Sequence, residues 1–400
     1  QRLYGRAALA AYVAGMDGRL MRSMKSILGS DLLEQATDVG AGRAVRYRDV
    51  VASYLLELRR RALAQLSPGA VLRRVVLGRP VYFVDDDPVR DARAQAALED
   101  AARAIGFEEV HFQYEPIAAA LDHESRVAAE QLVLVADIGG GTSDFAVVRV
   151  GPRRTAGAAG GGRTKASGRG SDRRDDILAS HGVHKAGTDF DRHLELAAIL
   201  PLLGYGARRP PRPGEDAARA PVVPSGIYFD LATWHLINTA YAPQRLAELR
   251  RMKAWYADAR HHARLLTVLQ ERLGHALATA AEAAKIEVAQ VTEPAAATAI
   301  DLSLVEPRLA AWLSPAQAAQ AIEADLAAIA QAAVETVRRA GLAPAAVDVL
   351  YFTGGSTGLT ALVDCIAAAF PRAQRVRGER YASVAQGLGL HAQALFQRGG

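Results

Sequence analysis

Three features of this chain point to an α/β architecture. Short apolar runs of strand length recur along it, helical stretches with marked ends lie between them, and two of the runs stop abruptly at glycine clusters. The first 66 residues read mainly as helix, because Leu9, Val13, Val50, Tyr54, Leu55 and Leu58 recur at three- and four-residue steps. A strand is expected from Val75 to Leu77, continuing through Pro80, Val81, Tyr82 and Phe83. A helix over about 88–105 follows, closed by Gly106; a short strand, Val110–Phe112, then leads into a helix that opens at Pro116.

Leu132–Ile138 is an apolar run interrupted only by Asp137; Gly139-Gly140-Gly141-Thr142 follows, and a second run covers Phe145–Val150. Two strands folded around a glycine turn is the direct reading. Residues 151–176 are rich in Gly, Arg and Ser, and 207–224 carry five prolines, so both segments read as irregular insertions. From about 243 to 290 the pattern is helical. Ser314, Pro315 and Gln317 form a helix start, Gly341 is its stop, and Ile322, Leu326, Ile329, Ala333 and Val337 line one face. Val347–Thr353 is again a buried strand; it ends in Gly354-Gly355-Ser356-Thr357, and a helix runs on to Phe370.

Composition narrows the function classes. The 400 residues are 50% hydrophobic and 23% charged, which suits an ordinary globular protein of two or three domain-sized units. Only 6% are aromatic, too few for an aromatic binding scaffold. No apolar run approaches the ~20 residues of a membrane span. Cys365 is the only cysteine, so a disulfide framework and a Cys-based zinc cluster are excluded, and a reducing, cytoplasmic setting is expected. The net charge is +5, but only five of the 48 basic residues are Lys; a GC-rich genome explains that bias better than nucleic-acid contacts do. The first residue is Gln1 rather than Met, and the expectation is that sequence precedes it. His181, His184, His261 and His262 lack carboxylate or Cys spacing for a metal and read as surface or packing histidines.

The two glycine turns carry the chemistry. Gly139, Gly140, Gly141 and Gly354, Gly355 let a backbone approach an anion closely, and Thr142, Ser356 and Thr357 add hydroxyls. One such turn is explained by the sterics of tight turns alone; two, both ending apolar strands, favour a phosphate site. A carboxylate at Asp137, ending a buried strand, calls for a hydrogen bond or a cation, and Mg²⁺ beside phosphates fits. Asp144 is the same case, more weakly. The bland alternative for both is a carboxylate capping its own turn.

These residues resemble a known family. Val135–Asp144 is similar to the second phosphate motif of the DnaK-type (heat-shock seventy) chaperones within the actin-like ATPase superfamily. Tyr114–Leu121 resembles their connecting helix, and Thr353–Thr357 their adenosine motif. Gly187-Thr188-Asp189-Phe190-Asp191 and Ala281–Glu287 match further segments in family order. The opening at 18–26 resembles the divergent YegD-like branch. The resemblance implies a two-lobed fold around a nucleotide cleft: lobe I over 1–130, lobe II over 131–378, and a return to lobe I over 379–400. It implies ATP or ADP with Mg²⁺ as ligands, slow ATP hydrolysis, and client proteins or a co-chaperone as partners.

By the same resemblance, Asp137 helps hold Mg²⁺ and the attacking water, Thr142 meets the γ-phosphate, and Glu115 stands near the metal. Lys25 stabilises charge on the transferring group, and Gly187, Glu282 and Lys285 belong to the nucleotide site. Each has a plainer reading: a surface lysine for Lys25, a helix-start acid for Glu115, an i,i+3 surface ion pair for Glu282 and Lys285. Departures also stand. The first phosphate hairpin is expected upstream of Gln1, and no peptide-binding domain is expected after the ATPase fold. Ile286 and Gly358 occupy positions where the chaperones place arginines on the adenine, a loss of about 1 kcal/mol. A non-enzymatic nucleotide sensor, a small-molecule kinase and a filament former of the same superfamily remain as alternatives.

Overall fold

The computed structural model describes residues 2–396 except 14–15, 17–19, 22–23, 40–41, 85–86, 125, 153–172, 292–295 and 380–381. Its strands are β1 (Ala36–Asp38), β2 (Ala44–Arg46), β3 (Arg74–Arg79), β4 (Glu109–Tyr114), β5 (Gln131–Ile138), β6 (Ser143–Val150), β7 (Ile177–Val183), β8 (Thr298–Asp301), β9 (Ala310–Leu313), β10 (Val349–Thr353) and β11 (Gln374–Arg377). The helices that matter here are α1 (Arg6–Val13), α2 (Tyr47–Leu63), α3 (Pro88–Ala104), α4 (Glu115–Glu124), α5 (Gly187–Leu194), α6 (Gly274–Val288), α7 (Pro315–Arg339), α8 (Thr360–Ala368) and α9 (Ser383–Phe396).

Five strands form a mixed sheet in the order β11-β10-β5-β6-β7. β11, β10 and β5 run parallel, while β6 and β7 are antiparallel to their neighbours. β5 sits centrally and is apolar at almost every position because both its faces are covered. Leu134, Ala136 and Ile138 enter a large core shared with Phe190 of α5, Leu277 of α6, Ile329 of α7 and Leu362 of α8. Val133 and Val135 point the other way, into a second core with Ile117, Ala119 and Ala120 of α4. α7 has the start that its sequence announces: Ser314 Oγ accepts from Gln317 N–H at 3.2 Å, and Gln317 Oε1 accepts from Ser314 N–H at 3.0 Å.

β3 and β4 form a separate parallel pair, in register from Arg74 with Glu109 to Arg79 with Tyr114. β3 ends at Arg79 and does not continue to Phe83, because Pro80 has no N–H to donate to a ladder. Arg79 is buried there, donating to Asp91 at 2.7 Å and stacking over the Phe83 and Tyr114 rings. α9 lies across β3 and α4 and meets α4 at Gly387, where a Cβ would stand 1.8 Å from the Ala118 carbonyl oxygen. A small core of Leu28, Leu33, Val51, Ala94 and Ala101 lies between α2, α3 and the chain before them.

The first 66 residues are less helical than periodicity predicts. Between α1 and α2 lie two 3-10 turns and the β1–β2 hairpin, whose three-residue strands are too short to show alternation. Most of the expected insertion at 151–176 falls on 153–172, outside the described residues. The segment 207–224 carries one bridge between Arg208 and Val222 and a 3-10 turn at Ala217–Arg219. No helix among the described residues is long and apolar enough to cross a membrane.

Candidate functional site

The two glycine turns lie side by side because β10 pairs with β5, placing Thr353 opposite Asp137. Gly354, at φ +88°, then turns over the end of β5; a Cβ there would stand 2.4 Å from the Ile138 carbonyl oxygen and 2.7 Å from Asp137 Oδ1. No other residue fits this place. Ser356 Oγ donates to the Gly139 carbonyl at 2.6 Å, which ties the second turn to the first.

A third glycine segment joins them. Gly187 opens α5, and a Cβ on it would meet Ser356 Oγ at 2.6 Å and the Gly139 carbonyl oxygen at 3.4 Å. Gly187 N–H donates to the Gly139 carbonyl at 3.3 Å. Thr188 donates twice to the Gly140 carbonyl, from N–H at 2.7 Å and from Oγ1 at 2.8 Å. Each of these two carbonyls therefore accepts two hydrogen bonds, one for each lone pair. Gly140 and Gly141 are exposed, and their N–H groups donate to no acceptor among the described residues. With its carbonyls taken from behind, the turn offers donors outward, as an anion requires.

Carboxylates line the same edge. Asp137 and Asp144 are direct cross-strand partners of β5 and β6, so both side chains stand on one face. Thr142 Oγ1 donates to Asp144 Oδ2 at 2.8 Å, and Gly182 leaves room for Asp144, since a Cβ there would come within 2.6 Å of its Oδ1. Asp137 Oδ1 lies towards Gly354 on the β10 side and Asp144 Oδ1 towards Gly182 of β7, so the two carboxylates flank the turn on one face. Among the described residues no group of three or more His, Cys, Asp or Glu gathers as a metal cage; Mg²⁺ needs only one or two carboxylates when phosphates and water complete its shell.

Lys285 reaches the junction from α6. Its Nζ donates to the Gly187 carbonyl at 3.2 Å and lies 2.7 Å from Asp191 Oδ1. Glu282, one turn earlier, is exposed, so the i,i+3 pair that spacing predicts gives way to a tertiary one with Asp191. Glu115 opens α4 and packs against Gly78 of β3, where a Cβ would lie 3.3 Å from its Cγ and from Leu388 Cδ1. Lys25 falls in the 3-10 turn Met24–Ile27, and its side chain lies outside the described part of the structure. The structure thus gathers Asp137, Gly139, Gly140, Gly141, Thr142, Asp144, Gly187, Lys285, Gly354, Gly355 and Ser356 around one junction.

Sequence reasoning missed the supports. Ser143 is fully buried and donates to the Lys185 carbonyl at 2.7 Å, fixing the entry to Gly187. Lys185 Nζ and His193 Nδ1 then both meet the buried Asp325 of α7 at 2.6 Å. His262 donates from Nε2 to the Leu249 carbonyl at 2.7 Å and is a packing residue. A surface cavity of about 280 Å³ beside Ala197, Trp312, Gln317 and Ala321 shares no residue with the junction.

A family model for the MreB/Mbl protein matches residues 74–156. The chaperone protein HscA homolog of Pseudomonas aeruginosa (strain LESB58) is 36% identical over 143 residues, 36% of this chain and 21% of that protein. The HscA homolog of Azoarcus sp. (strain BH72) is 40% identical over 102 residues, 26% of this chain and 15% of that protein. The chaperone protein DnaK of Thermotoga neapolitana is 29% identical over 178 residues, 44% of this chain and 24% of that protein. The chain thus spans about a fifth of the length of the curated relatives it matches. Taken with mixed sheets flanked by helices, these matches make the chain a distant relative of the heat-shock-seventy-type chaperones, with an actin-like ATPase fold.

Proposed function

We propose that the chain binds ATP or ADP with Mg²⁺ at the junction of the three glycine segments and hydrolyses ATP slowly, as a chaperone-like regulatory ATPase. The observation that carries this reading is the outward, donor-only turn at Gly140 and Gly141 beside the paired carboxylates Asp137 and Asp144. The residues present fit the ligand. Gly139, Gly140, Gly141 and Thr142 face the phosphates; Gly187, Gly354, Gly355 and Ser356 form the wall towards the nucleoside; and Lys285, with Glu282 above it, serves ribose and base.

Bound Mg²⁺ would neutralise phosphate charge and would be held by Asp137, with Asp144 beside it. The protein's own part is placement. N–H groups fixed from behind need no reorganisation as negative charge builds on the transferring group, and one such donor is worth ~3 kcal/mol. Asp137 holds the attacking water, with Glu115 as a further carboxylate and Lys25 as the cation on the phosphoryl oxygens. Two lobes, with α4 and α9 between them, would close on the nucleotide, and the partners would be client proteins or a co-chaperone in the cytoplasm.

Calorimetric titration of the chain tests this. Mg²⁺-dependent binding of ATP is expected, weakened at least tenfold by Asp137→Ala. Equal affinity in variant and parent removes Asp137 from the metal, and no binding of either nucleotide removes the site.

A further inference from the structure

None of the roles above uses Asp191, yet this residue holds the Lys285 ammonium. Lys285 sits on α6, but its tip is fixed from α5: by Asp191 Oδ1 at 2.7 Å and by the Gly187 carbonyl at 3.2 Å. Both side chains are largely withdrawn from water, at 14% and 15% exposure. A lysine has four rotatable bonds and, when unpaired, spreads its charge over many positions. Here the ammonium is confined beside Gly187, whose Cβ position would lie 3.5 Å from Nζ.

α5 is itself anchored to the first glycine turn through both donors of Thr188 on the Gly140 carbonyl. Asp191 stands one turn further along α5. The position of the ammonium is therefore referred to the Gly139–Gly141 turn rather than to the helix that carries the lysine.

A second carboxylate follows on the same stretch of chain. Glu195, one more turn along, is 1% exposed and its Oε1 has no hydrogen-bond partner among the described residues. Burial first, and the Asp191 charge second, push the Glu195 carboxyl well above the usual carboxylate range. The Asp191 charge is thus felt along this stretch of chain as well as at Lys285.

We propose that Asp191 is a positioning residue for nucleotide binding: it fixes the Lys285 ammonium at the meeting point of the three glycine segments, ready for an oxygen or ring nitrogen of the nucleoside. This rests on the nucleotide-site reading above.

The test is a double-substitution cycle on the full chain, with MgADP titrated calorimetrically. Asp191→Asn and Lys285→Met are each expected to weaken binding about tenfold, and the double variant to bind no more weakly than Lys285→Met alone. Asp191→Glu, which keeps the charge, should recover most of the loss. Wild-type affinity in Asp191→Asn overturns the proposal, as does a full additional tenfold loss in the double variant. A wild-type chain that binds no MgADP overturns the nucleotide site itself, a different result. A readout on the wild-type chain alone guards against unfolded variants. Acetylation by acetic anhydride, followed by mass spectrometry, should be slower at Lys285 than at Lys253, and slower still with saturating MgADP. A Lys285 as reactive as Lys253 and unprotected by MgADP refutes the proposal.

Discussion

In the five-stranded sheet, Val133, Leu134, Val135 and Ala136 are at most 1% exposed, and helices cover both faces; in the β3–β4 pair, Arg79 is the only buried residue of β3. The first sheet spreads its stabilisation over many apolar contacts. The second pair is covered by α9, which packs on β3 and meets α4 at Gly387, and is held besides by the polar and stacking contacts of Arg79 and the buried Tyr114. Distributed burial tolerates loss at one point; a close backbone approach does not. The glycine junction grows from the first sheet, where positions are held most firmly.

Four substitutions probe that contrast. The largest effect is expected at Gly387, where any Cβ collides with the Ala118 carbonyl. Gly387→Val should cost more than about 4 kcal/mol and free the β3–β4 side first, so limited proteolysis should cut there while the five-stranded sheet survives. Parent-like stability would break the comparison. Next is Glu124, which has no exposed side-chain surface and holds Arg173 through two hydrogen bonds, at 2.6 and 2.9 Å. Glu124→Gln removes one of the two carboxylates that hold the buried Arg173 guanidinium, leaving Asp176, and urea unfolding should show a loss of about 3 kcal/mol.

Glu195 gives a smaller, pH-dependent effect. Its pKa in the folded chain is raised above its ordinary 4.5, so the folded state holds the proton more tightly than the unfolded one. That contribution is full below about pH 4.5 and is lost as pH rises through the raised value. Glu195→Gln should leave the melting temperature nearly unchanged at pH 4 and raise it by about 2 °C at pH 8. The same difference at both values would contradict the burial argument. The smallest effect is expected at Gly141, where a Cβ meets nothing within 4 Å. Gly141→Ala should change stability by under about 0.5 kcal/mol by denaturant titration; a larger loss would show that the turn is tighter than its surroundings indicate.

The same contrast governs what could be read in advance. β5 and β10 are legible because strands buried on both faces leave unbroken apolar runs, and the glycines at their ends mark the turns. α7 is legible because Ser314 and Gln317 act within their own turn. β1 and β2 are too short to show a period, and β7, Ile-Leu-Ala-Ser-His-Gly-Val, mixes polar and apolar positions without alternation. At the site, residue types next to the glycines were readable, whereas their partners were not. Spacing links Lys285 to Glu282, but the contact made is with Asp191 on another helix, which only tertiary packing brings near. Thr188 and Ser143 likewise act on carbonyls distant in sequence.

Glu124 also has a consequence for how the chain tolerates change in length. Its Oε1 accepts from Gly151 N–H at 2.8 Å, where β6 ends, and its two oxygens hold Arg173 just before β7, while Arg173 Nε reaches Asp176 at 2.7 Å. One carboxylate on α4 thus grips both ends of the β6–β7 connection. The pairing of the two strands is set at that grip, whatever number of residues runs between Gly151 and Arg173. A change of length between Gly151 and Arg173 that keeps Glu124, Gly151 and Arg173 is therefore expected to leave β6 in register with β7.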